Sequence, residues 1–386
     1  MQQTKIKAIF LIIGALLQMV APDAFAWGER GHRIVTRVAV HLLAEKSNND
    51  KSLVIPFQAK EYMLAHLSNI PDIYWRSLPK KMTELGNPTH FIDFEIATKK
   101  PGFSTVDLSP VIFYQNALSG CLVSSTLQDC PEVKKLKSQG MPKAIGSAPW
   151  RAFQFWREMK REFSSLILKT KKLGNRKKVE KAAGLEIENF VNKALLNAGL
   201  MSHFVGDLGN PMHTTVDYDG KNVGQPGLHR YFETDIVNAY SMSLMLEVYD
   251  DARKNRPAQS IFRSIPKKQA KVEDSAALNM ILALAFNSFS RNEYLLSLDR
   301  RYAMSDFQKL DEKTNGRNFS KVKRHPPEQV KDKFKPFALE RLAAAADVLS
   351  ELWLLAWKEA GKPDLQEYQS YVYELKPDFI PPNYLP

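Results

Sequence analysis

The chain has 386 residues, 44% apolar and 25% charged, the proportions of an ordinary globular protein, which leaves no case for a disordered or fibrous one. Its net charge of +12 suits an anionic partner (nucleic acid, an acidic lipid surface or a phosphate-bearing small molecule) without choosing among them. Many exported proteins are equally basic with no such partner.

The first segment reads as a secretory leader. Lys5 and Lys7 precede an apolar run over 8–20, and Ala24 and Ala26 supply the small-residue pattern of a cleavage site. That run is shorter than the roughly 20 apolar residues a membrane span needs. Cleavage after Ala26 would release residues 27–386, secreted or periplasmic, at net charge +11, since two lysines and one aspartate leave with the leader. Trp27 would then carry a free α-amino group with a pKa of about 8, able to shed its proton and bind a metal.

Beyond Trp27 the pattern is helical. Residues 33–46 keep Val35, Ala39 and Leu42 on the side of His32. Residues 97–147, rich in Pro, Gly and Ser, predict an irregular insertion. Within it, Cys121 and Cys130 form a disulfide in an oxidising compartment or, less readily, act as thiolate metal ligands. Two long amphipathic helices are predicted over 148–172 and 185–208, joined by a basic, solvated turn around Gly174. Further helices are expected over 276–298 and 335–360, the second a core helix with Trp353 and Trp357 on one face. The proline-rich tail from 377 is expected to be extended. No internal repeat and no sustained strand alternation appear, so the fold expected is all-α, one domain with an irregular insertion.

The chemistry concentrates in a few short blocks. His203 and Asp207, four apart near a helix end, share one face, and the break at Gly209, Asn210 and Pro211 can turn His213 back toward them. His229 and Glu233 repeat the four-residue spacing just after Pro226 and Gly227. Imidazole nitrogen and carboxylate oxygen at this spacing are what zinc accepts. One such pair alone is more often a surface contact; two within thirty residues, with a histidine between them, point to metal. His41, His66 and His325 lack such company and read as structural or exposed.

WGERGH (27–32), the aspartate of NIPDIYWR (69–76), THFIDFE (89–95), HFVGDLGNPMH (203–213) and HRYFE (229–233) occur in the order of the zinc-dependent phospholipase C/P1 nuclease superfamily, which the chain resembles from Trp27 to about residue 235. The resemblance implies three zinc ions. One would take Asp72, His90, His203 and a bridging Asp207; a second His213, His229 and Glu233; a third the α-amino nitrogen and carbonyl of Trp27 with His32 and Asp207. It also implies that Asp72 orients or deprotonates the attacking water, and that no protein nucleophile is needed.

The two branches of that superfamily share the site. The Trp27–His32 spacing resembles the nucleases, whereas Glu233 as last ligand and the short interval from His213 to His229 resemble the phospholipases, as does the chain length. Phe91 and Asp93 match base-holding positions of the nucleases, but read equally well as a packing ring and a support for a ligand. Arg76 stands one position later than the nuclease arginine, which puts phosphate clamping by it in doubt. The balance favours a phospholipase C acting on a phospholipid membrane surface, with a single-strand nuclease as the alternative. A zinc protein that holds a partner without turnover is the third reading; the complete ligand sets argue against it. No obligate protein partner is implied.

Overall fold

The computed structural model describes residues 27–95, 145–173, 181–263, 275–304, 322–365 and 372–383. Residues 1–26, read above as a leader, most of the 97–147 insertion with Cys121 and Cys130, and the turn around Gly174 lie outside the described residues. The described part is mostly helical. Its β-pairings are two isolated bridges, Ile92 with Gly146 and Ala303 with Arg324. No helix among the described residues is long and apolar enough to cross a membrane.

In chain order the helices are α1 (Gly28–Lys46), α2 (Lys51–Ala59), α3 (Glu61–Leu67), α4 (Ile70–Ile73), α5 (Lys80–Gly86), α6 (Ala148–Leu173), α7 (Lys181–Gly209), α8 (Leu228–Arg230), α9 (Leu244–Asn255), α10 (Pro257–Arg263), α11 (Ser275–Phe289), α12 (Asn292–Tyr302) and α13 (Pro327–Glu359). Short 3-10 turns cover Trp75–Ser77, Asn87–His90 and Pro211–His213, and a π-helical turn over Tyr231–Ile236 continues α8.

Two helices organise the core. α7 packs against α6, α3, α13 and α1, and α13 packs against α1, α9, α7 and α6. The four alanines Ala343–Ala346 let α7 and α13 approach closely: a Cβ on Gly209 would sit 2.7 Å from that of Ala345. Trp353 and Trp357 are buried, as their spacing predicts.

Three boundaries differ from the sequence reading. The helix expected over 276–298 breaks into α11 and α12. At the break Ser290 donates its hydroxyl to the Asn287 carbonyl, a local alternative to the helical ladder. α13 begins at Pro327, eight residues before the predicted start, and runs through Pro336 despite the lost backbone donor. Burial of Val330 and Phe334 along the added turns offsets that loss. The Glu233 turn is π-helical, not α-helical.

The tail over 372–383 forms no helix or strand, and the body binds it through its carbonyls. Lys60 Nζ donates to Val372 (3.0 Å), His66 Nε2 to Leu375 (2.8 Å) and Trp75 Nε1 to Pro377 (3.0 Å). Arg151 donates to Ile380 and Gln154 Nε2 to Pro381 (3.0 Å). Phe379 packs edge-on to Trp75 with ring centres 5.3 Å apart. The tail thereby backs the short α4 and the turn after it.

Candidate metal centre

Five chain segments converge here because α7 ends at the middle of the molecule. His203 and Asp207 lie in its last two turns, fully buried. Asn210 leaves the helix with extended backbone and accepts the Met212 N–H on its side-chain oxygen (3.1 Å). That turn sends His213 back into the same region, as its spacing predicts. α1 brings His32, α4 brings Asp72, and the 3-10 turn over Asn87–His90 ends on His90.

The first group is His90, His203, Asp207 and Asp72. His90 Nδ1 stands 2.9 Å from His203 Nε2, 3.2 Å from Asp207 Oδ2 and 3.7 Å from Asp72 Oδ1. His203 Nδ1 donates to the Ser68 carbonyl at 2.8 Å, which fixes the tautomer and turns the Nε2 lone pair inward. Asp207 Oδ1 points the other way, 3.4 Å from His32 Nε2. The His32 ring stacks on His203 with centres 4.3 Å apart. This approach needs a glycine, because a Cβ on Gly206 would lie 2.7 Å from His32 Nδ1.

The second group is His213, His229 and Glu233. Glu233 Oε2 lies 2.8 Å from His229 Nε2 and 3.5 Å from His213 Nε2, with the two imidazole nitrogens 3.0 Å apart. His213 Nδ1 donates to the backbone carbonyl of His90 at 2.7 Å, so one residue serves both groups, by its ring in the first and its main chain in the second. Asn210 Nδ2 donates to Glu233 Oε2 at 3.1 Å and sets the carboxylate in place.

Electrostatics follow the burial. Burial pushes Glu233 up to about 8 and His229 and His90 down to about 4, each shift favouring the uncharged form. Burial would raise Asp207 also, but the imidazoles of His203 and His213 outweigh it and hold that carboxyl well below the usual range. Asp72 is likewise lowered against its burial, chiefly by Arg76, whose Nε stands 2.8 Å from Oδ1.

These residues fit divalent cations. Nitrogen and carboxylate acceptors turn toward small shared volumes in the trios His90–His203–Asp207 and His213–His229–Glu233. Both ring nitrogens of His32, Asp207 Oδ1 and Glu233 Oε1 are buried with no hydrogen-bond partner. Polar atoms in such a state call for an ion or a ligand. The second expected ligand set is therefore assembled, and the first through His90, His203 and Asp207, while Asp72 stands at its edge with Oδ1 facing Arg76 at 2.8 Å. The third is half assembled: His32 and Asp207 meet, while the Trp27 nitrogen donates to Glu233 Oε2 at 3.0 Å. In the uncut chain that nitrogen is a peptide amide, a donor that offers no lone pair to a metal. A further trio, His32, Asp72 and His203, also lies within ligating distance.

Of the remaining expected site residues, Arg76 is paired with Asp72, Asp93 is buried, and Phe91 is half-buried with its carbonyl accepting from Ala148 N at 3.1 Å. His41, His66 and His325 lie outside both ligand groups. Sequence reading missed the orienting partners: Asn210, the Ser68 carbonyl and Gly206. Only Asn210 left a signal, within the Gly209–Asn210–Pro211 helix stop, whereas Gly206 read as one more helical position. A scan against protein-family models and a search of curated proteins find no match for this chain, so the reading rests on the site itself.

Proposed function

We propose that the chain is an exported, zinc-dependent phosphodiester hydrolase that acts as a phospholipase C, cleaving phospholipid to diacylglycerol and a phosphorylated head group. The observation that carries this reading is the pair of buried histidine–carboxylate groups tied together by His90 and bordered by a third histidine on the far oxygen of Asp207. It accords with the resemblance to the phospholipase C/P1 nuclease superfamily in the order of its site motifs. Bound zinc would supply Lewis acidity toward water and toward the phosphoryl oxygens.

The chain's own residues supply position and charge. His90, His203, Asp72 and Asp207 would hold a first ion, His213, His229 and Glu233 a second, and His32 and Asp207, with Trp27 once the leader is removed, a third. Asp72, kept ionised by Arg76, accepts a hydrogen bond from the attacking water and aligns it with phosphorus. Water oxygen bonds to phosphorus as the ester oxygen of diacylglycerol leaves, and that oxygen takes up a proton. No serine or cysteine nucleophile enters.

The alternative, a single-strand nuclease, is favoured by the five-residue spacing of Trp27 and His32. Zinc-loaded protein beginning at Trp27, incubated in parallel with phosphatidylcholine/phosphatidylglycerol vesicles and with single-stranded RNA, separates the two. Release of diacylglycerol is expected. Mononucleotides alone would replace the phospholipase reading with the nuclease.

A further inference from the structure

Beside the metal centre runs an open groove of about 1360 Å³, with Asp72 and Arg76 in its lining. Its walls come from α1, α3, α4, the π-helical turn and the start of α9. α1 contributes Arg30, Arg33 and Arg37, whose three- and four-residue spacing sets them in one stripe along the helix. With Arg76 and Arg230 they make five arginines on a lining whose carboxylates are Glu29 and Asp72. Arg30 gives its N–H groups to the carbonyls of Val237, Asn238, Tyr240 and Ser241, which leaves its charge unneutralised. Arg33 pairs with Glu29 on the open surface, a contact worth little in water and open to exchange. Arg37 is held in a largely buried pair with Glu61, Arg76 faces Asp72 at 2.8 Å and Arg230 lies 3.8 Å from Asp235.

The rim is apolar and faces solvent. Met242 is 90% exposed, Tyr62 73% and Leu246 60%; Ile73 and Met245 continue the surface inward. Met242 lies in the turn before α9 and Leu246 in its first turn, and both line the groove. Exposed apolar side chains lining one groove together with arginines mark an interaction surface.

We propose that this groove docks the protein on an anionic phospholipid surface, with Met242 and Leu246 entering the acyl boundary and Arg33, beside the carbonyl-bound charge of Arg30, meeting head-group phosphates. The inference rests on the phospholipase reading, since the groove ends at Asp72. Two observations favour lipid over polynucleotide. Strand binding relies on aromatic faces that stack bases. This rim has one aromatic ring, Tyr62, and its face is covered by the Arg37 guanidinium at 4.8 Å. The other rim side chains are aliphatic or thioether, which partition into acyl chains rather than stack.

The test is sedimentation of the zinc-loaded protein with vesicles of phosphatidylcholine, with and without phosphatidylglycerol. Binding about tenfold tighter to the anionic vesicles is expected. Met242→Asp combined with Leu246→Asp should weaken that binding about tenfold or more, and Arg33→Glu should reduce the preference for phosphatidylglycerol. Hydrolysis of a monomeric short-chain phospholipid should remain unchanged in both, and serves as a check that they fold. No binding by the parent protein, undiminished binding by the double variant, or RNA binding lost on the same substitutions would each overturn the proposal. Vesicle binding that follows the variants in a protein that cleaves no phosphodiester would defeat the catalytic reading and leave the docking surface standing.

Discussion

Asp207 faces two ways, Oδ2 toward His90 and His203 and Oδ1 toward His32. Removing its charge while keeping its shape, as Asp207→Asn does, takes a ligand from both sides at once. We expect metal content to fall and turnover to drop by more than about 100-fold, read by elemental analysis and by the phosphodiester assay. Unchanged metal and turnover would disprove the assignment of Asp207. Gly206 carries a second expectation. A methyl group there meets His32 Nδ1 at 2.7 Å, in a wall where neither helix can retreat. Gly206→Ala should displace the His32 ring and lower stability by about 1–3 kcal/mol. It should also selectively lower occupancy of the ion held between His32 and Asp207. A variant that melts like the parent would show that the ring has room to move.

Among the elements, the C-terminal tail supports the site least visibly. Arg151 is fully buried, its guanidinium lies over Phe155 at 4.6 Å, and it donates to both Gln154 and the Ile380 carbonyl. Arg151→Met removes the donors and leaves the Ile380 carbonyl unsatisfied, with an expected loss of about 2–3 kcal/mol. Deletion of residues 372–386 should act in the same direction and red-shift tryptophan emission, as Trp75 loses Pro377 and Phe379. Identical melting and emission in both would show that the tail merely rests on the surface. The sequence carried the helices and the grouping of the candidate metal-holding residues well, because both depend on local spacing: His203 with Asp207, and His229 with Glu233, are neighbours in the chain before they are neighbours in space. It did not carry the supports. The Ser68 carbonyl under His203 and the Pro377 carbonyl over Trp75 are main-chain groups that every residue possesses, so no residue type marks them. The π-helical turn at Glu233 was hidden for another reason. The hydrophobic pattern of YFETDI serves α and π geometry alike, and tertiary partners such as Asn210 and Trp27 decide between them.

For the whole molecule, acceptors that converge on candidate metal positions would couple folding to any metal they take up. Chelation of the loaded protein should lower its melting temperature markedly. A site held at 100 times its dissociation constant contributes about 2.7 kcal/mol, and each ion adds its own share. A melting point indifferent to chelator would mean that the histidines are satisfied without metal. The N-terminus allows a finer count. Protein beginning at Trp27 should bind one more ion than protein carrying two extra residues before it, because the extension converts the amine into an amide. Equal counts would remove Trp27 from the ligand set. The tail also sets a clock. Pro377 follows Trp75 by 302 residues, which at about 5–20 residues per second is a delay of about 15–60 s on the ribosome. Until then the nascent chain holds its histidines without the clamp over α4, so a carbonyl made 302 residues later decides when the turn behind Asp72 is braced.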